Sequence, residues 1–120
     1  MATMGIAMNG HTAGIAPYPD DPERFHSLFE SERWITSYDA TGRNPYPFLV
    51  TTTFTFLRYV DIVGVFLSGA EKGEMFRSLL EGTSLPDMPG RIIKTLPRGA
   101  IYIDEALAQA SGIIRNSGDV

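Results

Sequence analysis

The sequence contains no cysteine, which excludes disulfides, thiolate metal sites and cysteine nucleophiles and suits a reducing cytoplasm. It has no basic run either. Ten Lys and Arg are spread thinly among 120 residues, against fourteen Asp and Glu, for a net charge of −4. Nucleic acid would need a clustered basic face, so no such partner is expected. Long hydrophobic runs are missing too: the longest strongly apolar stretch, residues 62–67, is far too short to cross a bilayer. The opening Met-Ala-Thr-Met-Gly-Ile-Ala-Met lacks a positively charged region, which argues against a signal peptide. There is no internal repeat, no low-complexity tract, no Gly-x-Gly-x-x-Gly, no nucleophile elbow, and no His/Asp/Glu cluster at metal-ligand spacing.

What remains is one domain's worth of chain with 43% apolar residues, enough for an ordinary core. Residues 1–6 read as a short apolar strand that runs into the small-residue loop Ala7-Met8-Asn9-Gly10-His11-Thr12-Ala13-Gly14. Asp21-Pro22 is an N-cap followed by a first-turn proline, and Phe25, Leu28 and Phe29 repeat at helical spacing, so a helix is predicted over 22–31. Strands are predicted over 34–38, over the Thr/Phe-rich stretch 50–56, and over 62–67, the last as a buried parallel strand. Ser68 with Glu71 resembles a capping box. It opens a helix whose face is Met75, Phe76, Leu79 and Leu80 and whose C′ residue is Gly82. After a turn at 86–89, residues 100–103 form another buried strand. Asp104 caps a last helix lined by Leu107, Ala110 and Ile114. Alternating strands and helices give an α/β layered domain with a mainly parallel sheet.

In open α/β sheets, ligands collect where strands end and helices begin, because unpaired N–H groups and the helix dipole attract anions there. Two junctions qualify: Asn9-Gly10-His11-Thr12 and Ser68-Gly69-Ala70-Glu71-Lys72. A lysine in a first helical turn opposes the dipole. Lys72 is therefore either a solvated cation held by Glu71 or Glu74, or a cation placed for a bound anion. His11, in a glycine-flanked loop after a strand, either serves as a general acid or base or hydrogen-bonds the loop into shape. His26, beside Phe25 on a helix, reads as solvent-facing with no role.

These junctions also carry a resemblance. Gly5-Ile6-Ala7-Met8-Asn9-Gly10-His11-Thr12-Ala13-Gly14-Ile15-Ala16-Pro17 resembles the signature G-x-G-x-D-G-H-T-A-S-L-F-P of the 6-phosphogluconolactonase / glucosamine-6-phosphate isomerase (deaminase) family. Ser68-Gly69-Ala70-Glu71-Lys72 resembles that family's S-G-x-E-K. Leu79-Leu80-Glu81-Gly82 and Tyr102-Ile103-Asp104-Glu105-Ala106 are similar to two further segments, in the same order and spacing. The family's aspartate is Asn9 here, its second glycine is Ala7, and the arginine that opens the threonine-rich strand is Leu49.

The resemblance implies a Rossmann-like three-layer α/β/α fold, present incompletely, with residues 1–120 as a single partial domain matching the family's C-terminal half. It implies a cytoplasmic enzyme acting on a phosphorylated sugar or sugar lactone, with no metal or organic cofactor. By carry-over, His11 and Asn9 are catalytic, and Gly10, Thr12, Ser68, Gly69 and Lys72 bind substrate, Lys72 at the phosphate. The deaminase branch places a glutamate where Ala16 stands, which favours lactone hydrolysis over isomerisation or deamination. An inactive sugar-phosphate-binding or assembly fragment is the alternative from another class. A chain holding half a doubly wound sheet is expected to self-associate or to pair with a missing N-terminal half.

Overall fold

The computed structural model describes residues 1–113. In chain order the elements are β1 (Ala2–Met4), α1 (Pro22–Phe29), β2 (Ile35–Asp39), β3 (Phe48–Thr52), α2 (Phe54–Tyr59), β4 (Val63–Leu67), α3 (Gly73–Glu81), β5 (Gly99–Ile103) and α4 (Glu105–Ser111). Two 3-10 segments, Ala70–Lys72 and Pro89–Thr95, precede α3 and β5. The strands β1, β4 and β5 form a wholly parallel sheet in that order, and β2 and β3 form a separate antiparallel hairpin. This is the expected mixed α/β class with a mainly parallel sheet.

Both crossovers, β1 to β4 and β4 to β5, step in the same direction across the sheet. The right-handed rule therefore puts both on one face. Val63, Val65 and Leu67 point into that face and join a core with Ile6, Leu79, Ile92 and Leu107. The core continues into an aromatic cluster under the hairpin, where Phe25, Phe29 and Phe54 are fully buried. Phe25 lies 5.0 Å from Phe29 and 5.6 Å from Phe54, centroid to centroid. The opposite sheet face is bare among the described residues. Phe66 and Tyr102, paired in register across β4 and β5, stack there 5.0 Å apart and stay 53% and 56% exposed. The layered fold is thus present in part, with helices over one face.

Local chemistry explains most element ends. Asp21 Oδ1 accepts from Arg24 N at 3.1 Å with Pro22 at the first helical position, as predicted for α1. Asp104 caps α4 through Oδ1, which accepts from Leu107 N at 2.8 Å. Two burial expectations fail: β5 is largely open rather than buried, with Gly99, Ala100 and Tyr102 exposed, and Leu80 faces solvent on α3. Four further expectations need correction. The strand predicted over 50–56 stops at Thr52: Thr53 turns the chain by accepting from Phe56 N at 3.2 Å and donating to the Arg33 carbonyl at 2.5 Å, so Phe54 and Phe56 enter a helix. The β-propensity of threonine and phenylalanine yields here to an N-cap.

The second correction concerns Ser68 and Glu71, which form no capping box. Neither the 3-10 segment nor α3 has a side-chain cap bond. The carboxylate at this junction comes from a neighbour instead, since Asp104 Oδ2 accepts from Gly69 N at 3.1 Å. Third, Gly82 ends α3 in an extended conformation, φ −99°, rather than left-handed. Cations close the helix: Arg91 donates to the Ser78 carbonyl at 2.8 Å, and Lys94 donates to the Leu80 and Gly82 carbonyls. Fourth, the inner face of α4 is Leu107, Ala108 and Ser111, while Ala110 is exposed; Ile114 lies outside the described residues. No described helix is long and apolar enough to cross a membrane.

Candidate functional site

The loop after β1 is closed on itself. Ala7 N donates to the His11 carbonyl and Gly10 N to the Ala7 carbonyl, both at 2.9 Å. Thr12 is buried and its hydroxyl donates to the Gly5 carbonyl at 2.8 Å, tying the loop's far end to the strand exit. Gly10 adopts φ +88°, and a Cβ there would press into the Met88 side chain and come within 3.2 Å of its Cα. Glycine is therefore required at this turn. Asn9 Oδ1 accepts from the His11 backbone N–H at 3.1 Å, so the asparagine braces the loop rather than the imidazole.

This bracing presents the His11 ring, half-buried, to a cleft of about 420 Å³ lined by Gly5, Ile6, Ala7, His11, Thr12, Ala13 and Lys72. His11 Nε2 lies 2.6 Å from the Ala13 carbonyl. Ala13 itself holds φ +50°, an uncommon conformation for a residue with a Cβ.

Lys72 reaches the same cleft from the neighbouring strand. It stands at the N-cap of α3, not inside a helix begun at Ser68, and its Nζ donates to the Ile6 carbonyl at 3.2 Å. Neither Glu71 nor Glu74 pairs with it: the ion pairs among the described residues are Arg43–Asp20 and Arg58–Glu30. The ammonium thus has one carbonyl partner and faces the imidazole's cleft at the C-terminal ends of two adjacent parallel strands.

The other expected site residues are placed nearby but outside this lining. Asn9 and Ser68 are exposed, and Gly10 is buried with its carbonyl accepting from Gly90 N. Gly69, at φ +101°, turns the chain out of β4. Sequence reasoning missed Asn44, whose Nδ2 lies 3.5 Å from His11 Nδ1 across 33 positions of chain. Its loop, Gly42-Arg43-Asn44-Pro45, is readable as a loop, yet nothing local signals that it reaches His11.

No protein-family model matches the sequence, and no curated protein does. Solved structures do match in fold. A 6-phosphogluconolactonase from Trypanosoma brucei superposes with a TM-score of 0.65 at 19% identity, over 89% of this chain and 40% of that one. The 6-phosphogluconolactonase from Leishmania guyanensis gives 0.66 at 21% identity, over 94% and 41%. A monomeric glucosamine-6-phosphate deaminase gives 0.62 at 19% identity, over 90% and 46%. The chain spans less than half the length of each of these three structures. Over that span it has the fold of 6-phosphogluconolactonases and glucosamine-6-phosphate deaminases.

Proposed function

We propose that the cleft takes a phosphorylated sugar and that its chemistry is hydrolysis of a phosphorylated sugar lactone, with Lys72 at the phosphate and His11 as base. One observation carries this reading: an imidazole and a cation without a carboxylate partner converge on one cleft at the strand ends where open α/β sheets bind ligands. The matching folds of lactonases and a deaminase support the substrate class.

In the proposed step His11 accepts a proton from water as the oxygen bonds to the lactone carbonyl carbon. The ring C–O bond then breaks, and the protonated imidazole gives its proton to the departing ring oxygen. The products are a carboxylic acid and an alcohol in one open-chain sugar phosphate, so the imidazole ends as it began. Asn9, Gly10 and Thr12 hold the His11 loop for this task. Ser68 and Gly69 shape the turn that delivers Lys72.

A second reading, sugar-phosphate binding without turnover, is favoured by Asn9: it carries no charge, and its oxygen is occupied by a backbone N–H. Hydrolysis of 6-phosphogluconolactone, followed by proton release, separates the two. The rate is expected well below the ~10 per second typical of enzymes, because Lys72 holds the phosphate as a lone point charge. His11→Gln should return it to the spontaneous rate while sugar-phosphate binding persists. An equal rate for wild type and variant would leave the binding reading.

Association between copies belongs to the same proposal. Exposed Phe66 and Tyr102 on the sheet, and Ile35, Phe48 and Val50 on the hairpin's outer face, are apolar surface that stable monomers seldom leave open. Sedimentation should show a mass that rises with concentration, and one compact monomer over a wide range would contradict this.

A further inference from the structure

We propose that Asn44 is a positioning residue that, together with the Ala13 carbonyl, sets which His11 nitrogen carries the proton and leaves Nδ1 unprotonated as the basic site. Its functional meaning rests on the reading of His11 as base; the proton's location does not.

Asn44 is firmly held. Arg43 forms a two-pronged pair with Asp20, at 2.6 and 2.8 Å, and its guanidinium lies 3.7 Å over the Tyr18 ring. The loop is closed by Ala40 N donating to the Pro47 carbonyl at 2.6 Å and by Asn44 N donating to the Ala40 carbonyl at 3.1 Å. The amide's orientation is equally determined. Tyr46 N donates to Asn44 Oδ1 at 3.0 Å, so that atom is the oxygen and the amino end faces His11. An amide NH₂ only donates, and so it favours an acceptor at Nδ1.

The other side of the ring gives the same answer independently. The Ala13 carbonyl, 2.6 Å from Nε2, can only accept, so Nε2 carries the hydrogen. A neutral imidazole has one donor and one acceptor, which leaves the lone pair on Nδ1 facing the Asn44 amide. Two partners, one two residues away and one 33 positions away, therefore select one tautomer. At 3.5 Å the amide contact is long. As a base, Nδ1 would exchange this weak contact for one to water.

Asn44→Asp separates this role from a structural one. It keeps an oxygen for Tyr46 N, so the loop is retained, but it turns the donor facing Nδ1 into an acceptor. Long-range proton–nitrogen spectra of the whole chain at mildly alkaline pH should show His11 in wild type with Nε2 protonated and Nδ1 bare. In Asn44→Asp the proton should move onto Nδ1, with exposed His26 unchanged as internal control. A folded Asn44→Asp in which Nδ1 stays bare would overturn the proposal. Should that variant not fold, Asn44→Leu removes the donor and, with it, the acceptor of Tyr46 N, and its Nδ1 resonance should move toward that of an unbonded lone pair. An unchanged resonance overturns the proposal just as well. If the proton moves and hydrolysis falls at least tenfold in kcat with KM unaltered, the proposal and the base role both stand. If it moves and hydrolysis does not change, the positioning role stands and the assignment of His11 as base fails.

Discussion

Replacing Lys72 with methionine should weaken the binding of 6-phosphogluconate by about 10- to 150-fold, the effect of losing about 1.5–3 kcal/mol from a hydrogen bond to a charged group. Methionine keeps most of the side chain's bulk and apolar stem and removes the cation. Among the described residues Nζ has one partner, the Ile6 carbonyl, so little else there opposes a phosphate that approaches it. Wild-type binding should weaken as salt is added, since a half-exposed charge is screened, and the variant should respond less. Calorimetric titration at two ionic strengths measures both. Equal affinity for wild type and Lys72→Met would place the phosphate elsewhere.

The largest effect on stability is expected from Phe25→Ala, at about 3–5 kcal/mol. Phe25 is fully buried on α1 and packs against Tyr18, Phe29 and Phe54, so its removal opens a void shared by α1, α2 and the loop that carries Tyr18. Domains of this kind are stable by about 5–15 kcal/mol in all, so a sizeable share of the fold's margin rides on one ring. Phe66→Ala is the control: its ring stacks on Tyr102 at the bare sheet face, and its loss should change stability far less. Urea unfolding with an unchanged m-value reads both. A Phe25→Ala loss no larger than that of Phe66→Ala would mean that the aromatic cluster is not the core.

The parallel sheet and the helices α1, α3 and α4 were legible because their signals are local. Asp21-Pro22 and Asp104 cap helices wherever the rest of the chain lies, and the apolar run at 62–67 yields the strand Val63–Leu67, buried on one face. The errors arose where distant groups decide. Thr53 caps a helix because its hydroxyl also reaches the Arg33 carbonyl, 20 positions away. Asp104, not Ser68, satisfies Gly69 N because β5 lies beside β4. Gly82 needs no left-handed turn because Arg91 and Lys94 cover the end of α3 from the following segment.

The same division runs through the site. His11 and Lys72 could be singled out because each follows a strand. Their sharing of one cleft follows from β1 and β4 being parallel neighbours. Asn44 could not be found this way: it reaches His11 through a loop pinned by Arg43 to Asp20, an ion pair that no local pattern encodes. That pair also predicts how the pin responds to acid. Arg43 holds the exposed Asp20 carboxyl at about 2, below its ordinary 3.8, so whatever stability the pair lends is present at neutral pH and fades as pH falls through about 2.

Chemical-shift mapping with 6-phosphogluconate tests most directly whether the two loops form one sugar-phosphate cleft. One shared cleft should give saturable shifts in residues 5–13 together with Lys72 and the first turn of α3, all following one dissociation constant and all lost in Lys72→Met. Shifts confined to one loop, or shared shifts that persist in Lys72→Met, would contradict it.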